Sequence, residues 1–204
     1  MKDVGATFDK SKQSYLPIEA GKYPAHISSV YERELNTKAG KAIVVNMSYD
    51  IAEDVKDITQ KVYKMDGYDY ELDKDGNKIP VNDKDGKPVL AACKHLSGKQ
   101  FRDNGTFLFL EEKSAGKNGR YYSLLQNLGI EVKEDGKLPL VEEDDVIGLP
   151  VFVTLKSETY VTKDTKDLPE AEQEVRTAWK VDRIDAWADG VKVSKEEMEE
   201  DLPF

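Results

Sequence analysis

A single cysteine, Cys93, stands in the 204 residues of this chain. No intramolecular disulfide can form, so a packed core must hold the fold. Histidine is almost as scarce: His26 and His95 lie far apart, without the neighbouring ligands of a zinc site. No apolar run approaches the ~18 residues of a membrane-spanning helix, and the opening MKDVGATFDKSKQ lacks the apolar stretch of a secretory leader. The expected setting is the reducing cytoplasm, with no membrane partner. Neither G-x-x-x-x-G-K-[ST] nor G-x-G-x-x-G occurs, so the phosphate-cradling loops are missing. No Ser, His or Cys sits in a recognisable nucleophile motif. The carboxylate cluster Glu142–Asp145 is four adjacent residues, expected to be solvated. These absences argue against an enzyme and against a bound cofactor or metal.

What is present is charge and β-type patterning. Charged residues make up 34% and the net charge is −10, while 39% hydrophobic residues suffice for one globular core. An acidic chain argues against a broad duplex-DNA surface. It leaves room for a local basic groove, because charges beyond roughly 10 Å are screened.

Residues 1–16 read as a polar arm and 17–190 as one domain. In LPIEAGKYPAHISSVYEREL, Tyr23, Ala25 and Ile27 alternate with Pro24, His26 and Ser28, and the alternation then shifts at Val30 and Tyr31. A long strand with a bulge explains such a shift. NTKAGKA supplies a turn around Gly40, and Ile43, Val45, Met47, Tyr49 and Ile51 line one face of the next strand. Residues 54–98 form a polar, turn-rich insertion with two Asp-Lys-Asp-Gly units, Asp73–Gly76 and Asp83–Gly86. A calcium loop of the EF-hand type needs a glutamate twelve positions in, where these have Lys84 and Lys94. They are therefore read as turns. Beyond the insertion, Thr106, Leu108 and Leu110 alternate with Phe107 and Phe109. Tyr121, Leu124, Leu125 and Leu128 make one helical stripe closed by Gly129. Two more strands follow, with Val151, Val153 and Leu155 on one face and then Val175, Thr177, Trp179 and Val181 on one face.

The order strand, strand, insertion, strand, helix, strand, strand predicts a mainly β fold. It matches the five-stranded OB-fold barrel, which has one helix between its third and fourth strands. That fold binds single strands across its second and third strands, framed by the loops joining strands one to two and four to five. Aromatic rings stack on bases there and cations meet phosphates. The candidates are Tyr31, Arg33, Lys38 and Lys41 around the first loop and Phe107 and Phe109 on the third strand. Around the second loop they are Tyr160, Lys163, Lys166 and Arg176. Strand aromatics more often serve a core and turn lysines more often only meet solvent, so the set carries more weight than its members.

The end of the chain, KVSKEEMEEDLPF, is an acidic run closing on Leu-Pro-Phe. Residues 191–204 read as a disordered tail whose last residues, Asp201, Leu202, Pro203 and Phe204, a partner protein could capture. EEDLPF resembles the C-terminal tip of bacterial single-stranded DNA-binding proteins, with Leu for their usual Ile. The body instead resembles a bacteriophage group of OB-type single-strand binders, through LPIEAGKYPAHI, NTKAGKA, GRYYSLLQNLGI and IGLPVFVTL. That resemblance implies coating of single-stranded DNA without sequence preference, in phage replication, recombination and repair in the cytoplasm of an infected host. It also implies recruitment of replication or recombination proteins by the tail. Strand edges leave a homo-oligomer open, and an OB-fold module that binds only proteins is the competing reading.

Overall fold

The computed structural model describes residues 16–66, 69–194 and 197. Residues 1–15 of the expected arm and the tip Asp201–Phe204 lie outside them. The fold is mainly β, built on one large antiparallel sheet. Its strands are β1 (Gly21–Thr37), β2 (Gly40–Ile51), β7 (Gln100–Arg102), β8 (Thr106–Phe109), β9 (Pro150–Val161) and β10 (Val175–Ala186). The order is β10-β9-β1-β2-β7, with β8 also paired to β2.

The sheet does not close into the expected five-stranded barrel. Two features keep the sheet open. The third strand is broken into β7 and β8 at Asp103–Gly105, and β10 meets it only at one isolated parallel bridge, Asp103 to Val181. Below that bridge, α1 (Gly119–Asn127) occupies the seam. Its Arg120 donates to the carbonyl of Asp182 and its Asn127 to that of Ile184.

Alternation decides the core. Tyr23, Ala25 and Ile27 of β1 meet Val45, Met47, Tyr49 and Ile51 of β2, Val151, Val153 and Leu155 of β9, and Val181 and Ile184 of β10. The helical stripe Tyr121, Leu124, Leu125 and Leu128 covers this face. α1 stops as its sequence predicts: Gly129 adopts φ +70°, its N–H donates to Gln126, and Ile130 donates to Leu125. Those are the two bonds of a Schellman motif. Glu142–Asp145 leads into the one-turn α2 (Glu143–Val146), whose Val146 is buried. No helix among the described residues is long and apolar enough to cross a membrane.

The insertion contains four short strands, β3 (Thr59–Lys61), β4 (Met65–Asp66), β5 (Asp69–Tyr70) and β6 (Leu90–Ala92). Val55, Cys93 and Leu96 fix its two ends in the main core. Between them, backbone bonds close into rings of three. Val62 donates to Val89, Val89 to Val81 and Val81 to Val62; likewise Lys64 donates to Ile79, Ile79 to Glu71 and Glu71 to Lys64. The Asp-Lys-Asp-Gly units are the hairpin tips. Asp73 Oδ1 accepts from the N–H groups of Asp75 and Asn77, and Asp83 Oδ1 from those of Asp85 and Lys87. The carboxylates are thus engaged as turn acceptors.

Residues 187–194 run back across the sheet. Val193 donates to Gly148, His26 Nε2 lies 3.0 Å from the carbonyl of Val191, and Trp187 packs on Phe152.

Candidate nucleic-acid interface

The site begins with the bulge in β1. Up to Ile27, odd-numbered residues face the core; the register with β2 shifts between Ile27 and Ser29. Beyond it Val30 stands opposite the buried Met47, so Tyr31, Arg33 and Leu35 turn to the outer face. Without the extra residue, an arginine and a tyrosine would point into the core.

Register then assembles a platform. Tyr31 pairs with Asn46. Arg33, Val44 and Phe107 form one row across β1, β2 and β8, and Leu35, Ala42 and Phe109 form the next. Directly opposed residues of an antiparallel pair share a face. All eight side chains therefore share the face turned away from the main core. Val44 is 0% exposed and Ala42 1%, although neither belongs to that core. The flanking rows bury them, giving the aromatic rings an apolar footing.

Phe107 and Phe109, two residues apart, are nearly parallel, with centroids 5.9 Å apart and planes 18° apart. Lys117 Nζ lies 6.0 Å from the centre of Phe109. Asn118 holds the free side of β8: its Oδ1 accepts from the N–H of Phe109 at 2.7 Å, and its Nδ2 donates to the carbonyl of the same residue at 3.0 Å. One side-chain amide thus replaces a neighbouring strand.

The turn after β1 is braced as well. Thr37 Oγ1 donates to the carbonyl of Gly40 and accepts from Ala39, and Ser114 Oγ donates to the carbonyl of Ala39. The Glu111 carboxylate accepts from the N–H of Lys41 and pairs with Lys113, and these contacts hold its pKa below the usual value. Lys38 and Lys41 are exposed on this turn.

The second group sits on the outer halves of β9 and β10. Tyr160 stands opposite Arg176, and Lys163 and Lys166 are exposed in the loop that follows β9. Glu174 bonds the Arg176 guanidinium at 2.8 Å and raises its pKa further. Among the described residues, Arg33, Lys38, Lys41, Lys163 and Lys166 form no ion pair.

The two groups do not touch, but one residue joins their supports. Asn104 donates to Glu158 at 3.2 Å and accepts from Lys180 Nζ at 2.7 Å, while Lys180 pairs with Glu158 at 2.9 Å. Glu158 shares the β9 face of Tyr160, and Lys180 the β10 face of Arg176. Gly105, next along the chain, lies against Val44 and Asn46 on the platform side. Both groups therefore look toward Asn104–Gly105, the floor between them.

That floor is fixed by Asp103. Its Oδ1 accepts from the N–H groups of Met47 and Gly105, and its Oδ2 from the Tyr49 hydroxyl. Burial raises its pKa in spite of these bonds.

Sequence patterning alone did not point to Asn46, Asn104, Glu111, Lys117 or Asn118. They are polar residues in or beside turns, and only register brings them to the site. Asp201, Leu202, Pro203 and Phe204 lie outside the described residues. No group of metal-ligating side chains occurs among the described residues. No protein-family profile, curated protein or solved structure matches the chain.

Proposed function

We propose that the protein binds single-stranded DNA without sequence preference and serves phage replication, recombination and repair. The observation that carries this is the platform of Tyr31, Arg33, Phe107 and Phe109: two near-parallel rings and, across Val44, a guanidinium without an ion pair among the described residues, on an apolar base. Rings of this kind stack on any base, each contributing about 1–3 kcal/mol, and cations neutralise the phosphates between them. Lys38 and Lys41 extend the path at one end, and Tyr160, Lys163, Lys166 and Arg176 at the other.

The fold reading that goes with this is an open OB barrel. Its support is the strand order, the position of α1 between the third and fourth strands of the sheet, and the isolated parallel bridge between third and fifth. The acidic segment ending in Asp201–Phe204 recruits replication proteins in this reading, on the strength of its likeness to the bacterial tip.

Titration of oligo-dT against intrinsic fluorescence at two salt concentrations tests the proposal. Binding that weakens with salt and exceeds duplex binding is expected. Equal affinity for duplex and single strands would sink it.

The net charge of −10 favours a second reading, a module that binds only proteins. It predicts no response to oligo-dT and a partner captured through Phe204, lost in Phe204→Ala.

A further inference from the structure

The outer halves of β9 and β10 form a two-stranded ribbon, because β1 pairs with β9 only from Gly21 opposite Leu155 inward. Backbone direction on this ribbon follows from one contact. Ile27 donates to Leu149 and accepts from Gly148, so the odd-numbered residues of β1 turn their backbone groups toward β9. Leu155 therefore bonds to Gly21, and Val181, opposite it on β10, turns its own groups away from β9. Above the bulge at Val181–Arg183, the residues Val175, Thr177 and Trp179 share that outward direction.

Among the described residues nothing bonds to this stretch of edge. Further along β10 the edge is capped, Arg120 and Asn127 covering the carbonyls of Asp182 and Ile184, as Asn118 covers Phe109 on β8. The open stretch also bears exposed apolar groups, with Val175 60% exposed opposite Val161 at 36%. A free edge flanked by apolar side chains is a template for another strand.

We propose that β10 pairs antiparallel with β10 of a second copy, about a twofold axis through Thr177. This register sets Val175 against Trp179 and Glu174 against Lys180, so apolar meets apolar, and opposite charges meet twice beside the ion pairs that Glu174 makes with Arg176 and Lys180 with Glu158 in each copy. It also bonds the outward groups of all three edge residues. Neighbouring axes fail. Centring on Trp179 requires Val181, whose edge is taken by the bridge to Asp103. Centring on Val175 sets Trp179 against Ala171, which lies beyond the strand in a 3-10 turn. Centring on Arg176 or Ala178 bonds only two of the three edge residues, because Trp179 then faces Gln173, beyond the strand, or Val175 faces Val181, whose edge is taken.

The pairing does not rest on nucleic-acid binding, and its test uses the full chain without DNA. Sedimentation over a range of concentrations should show a monomer–dimer equilibrium. Thr177→Cys should oxidise to a covalent dimer or be bridged by a short bismaleimide, since directly opposed bonded residues sit about 5.5 Å apart at Cα. Cys93 is buried and gives little background. Arg176→Cys alone should not crosslink, because its opposite number is Ala178. Thr177→Pro should raise the dimer dissociation constant about tenfold or more through loss of ladder bonds. Glu174→Lys and Lys180→Glu should each weaken the dimer, and together restore it. A chain that stays monomeric throughout, or a dimer in which Thr177→Cys does not crosslink, overturns the proposal.

Discussion

Arg33 and Phe107 stand on opposite sides of the same residue, Val44, in one row across three strands. A cation and a ring are thereby held at a fixed spacing, one strand apart, on strand backbone rather than on loops. Sites on strands keep their geometry without an ordering cost on binding.

The two phenylalanines should act separately from the fold. Phe107→Ala and Phe109→Ala are each expected to lower single-strand affinity about ten- to one-hundred-fold, matching one lost stacked base. Fluorescence titration with oligo-dT measures this, with a thermal melt of each variant as the control.

Arg33→Ala should behave differently. Its loss removes one phosphate contact, so the slope of log affinity against log salt should become shallower by about 0.7. An unchanged slope would place Arg33 outside the path of the strand.

Gly105 is fixed by both conformation and space. It has φ +82°, and a Cβ there would lie 2.5 Å from Val44 and 2.6 Å from Asn46. Gly105→Ala is expected to cost about 2–4 kcal/mol in urea unfolding. Asn118→Ala removes both caps on Phe109 and should cost about 2 kcal/mol in the same assay.

Asp103 gives stability a pH dependence of definite sign. Burial raises its folded pKa above the unfolded value, so the folded state binds the proton more tightly. Stability from this group is full below the unfolded carboxylate pKa and is lost as pH rises through the folded one. Asp103→Asn keeps an oxygen for Met47 and Gly105 and removes the titration. Relative to the natural chain, its melting temperature should therefore gain as pH rises through the acid range.

His95 works in the other direction. Both ring nitrogens are buried without a well-formed hydrogen bond, and burial followed by the charge of Lys99 lowers its pKa in spite of the Pro17 backbone nearby. Its contribution is full above the ordinary imidazole pKa and is lost as pH falls through the lowered one. His95→Gln should flatten the fall in melting temperature on the acid side of neutrality.

Much of this arrangement can be read from periodicity. The shift of alternation at Val30 and Tyr31 is the β1 bulge, and the stripe from Tyr121 to Leu128 with Gly129 is α1 and its cap. Alternation tells which face a residue takes, so Phe107 and Phe109 are legible as outward. It does not tell what lies across the strand. Asn118 reaches Phe109 over nine residues, but Glu111 reaches Lys41 over seventy and Lys180 reaches Asn104 over seventy-six. Closure of the sheet was equally hidden. It depends on Asp103, whose carboxylate bends the third strand by taking bonds that a ladder would otherwise make.

The triangular rings of the insertion make it a countable structure. Ile79 donates to Glu71 as Val89 donates to Val81, ten residues on, and the tips at Asp73 and Asp83 keep the same interval. Ten residues are thus one storey, each ring closing on one residue of the segment 62–64. Storeys could be added or removed in whole tens while the foundations at Val55, Cys93 and Leu96 stay put. A change of any other length would break the stack.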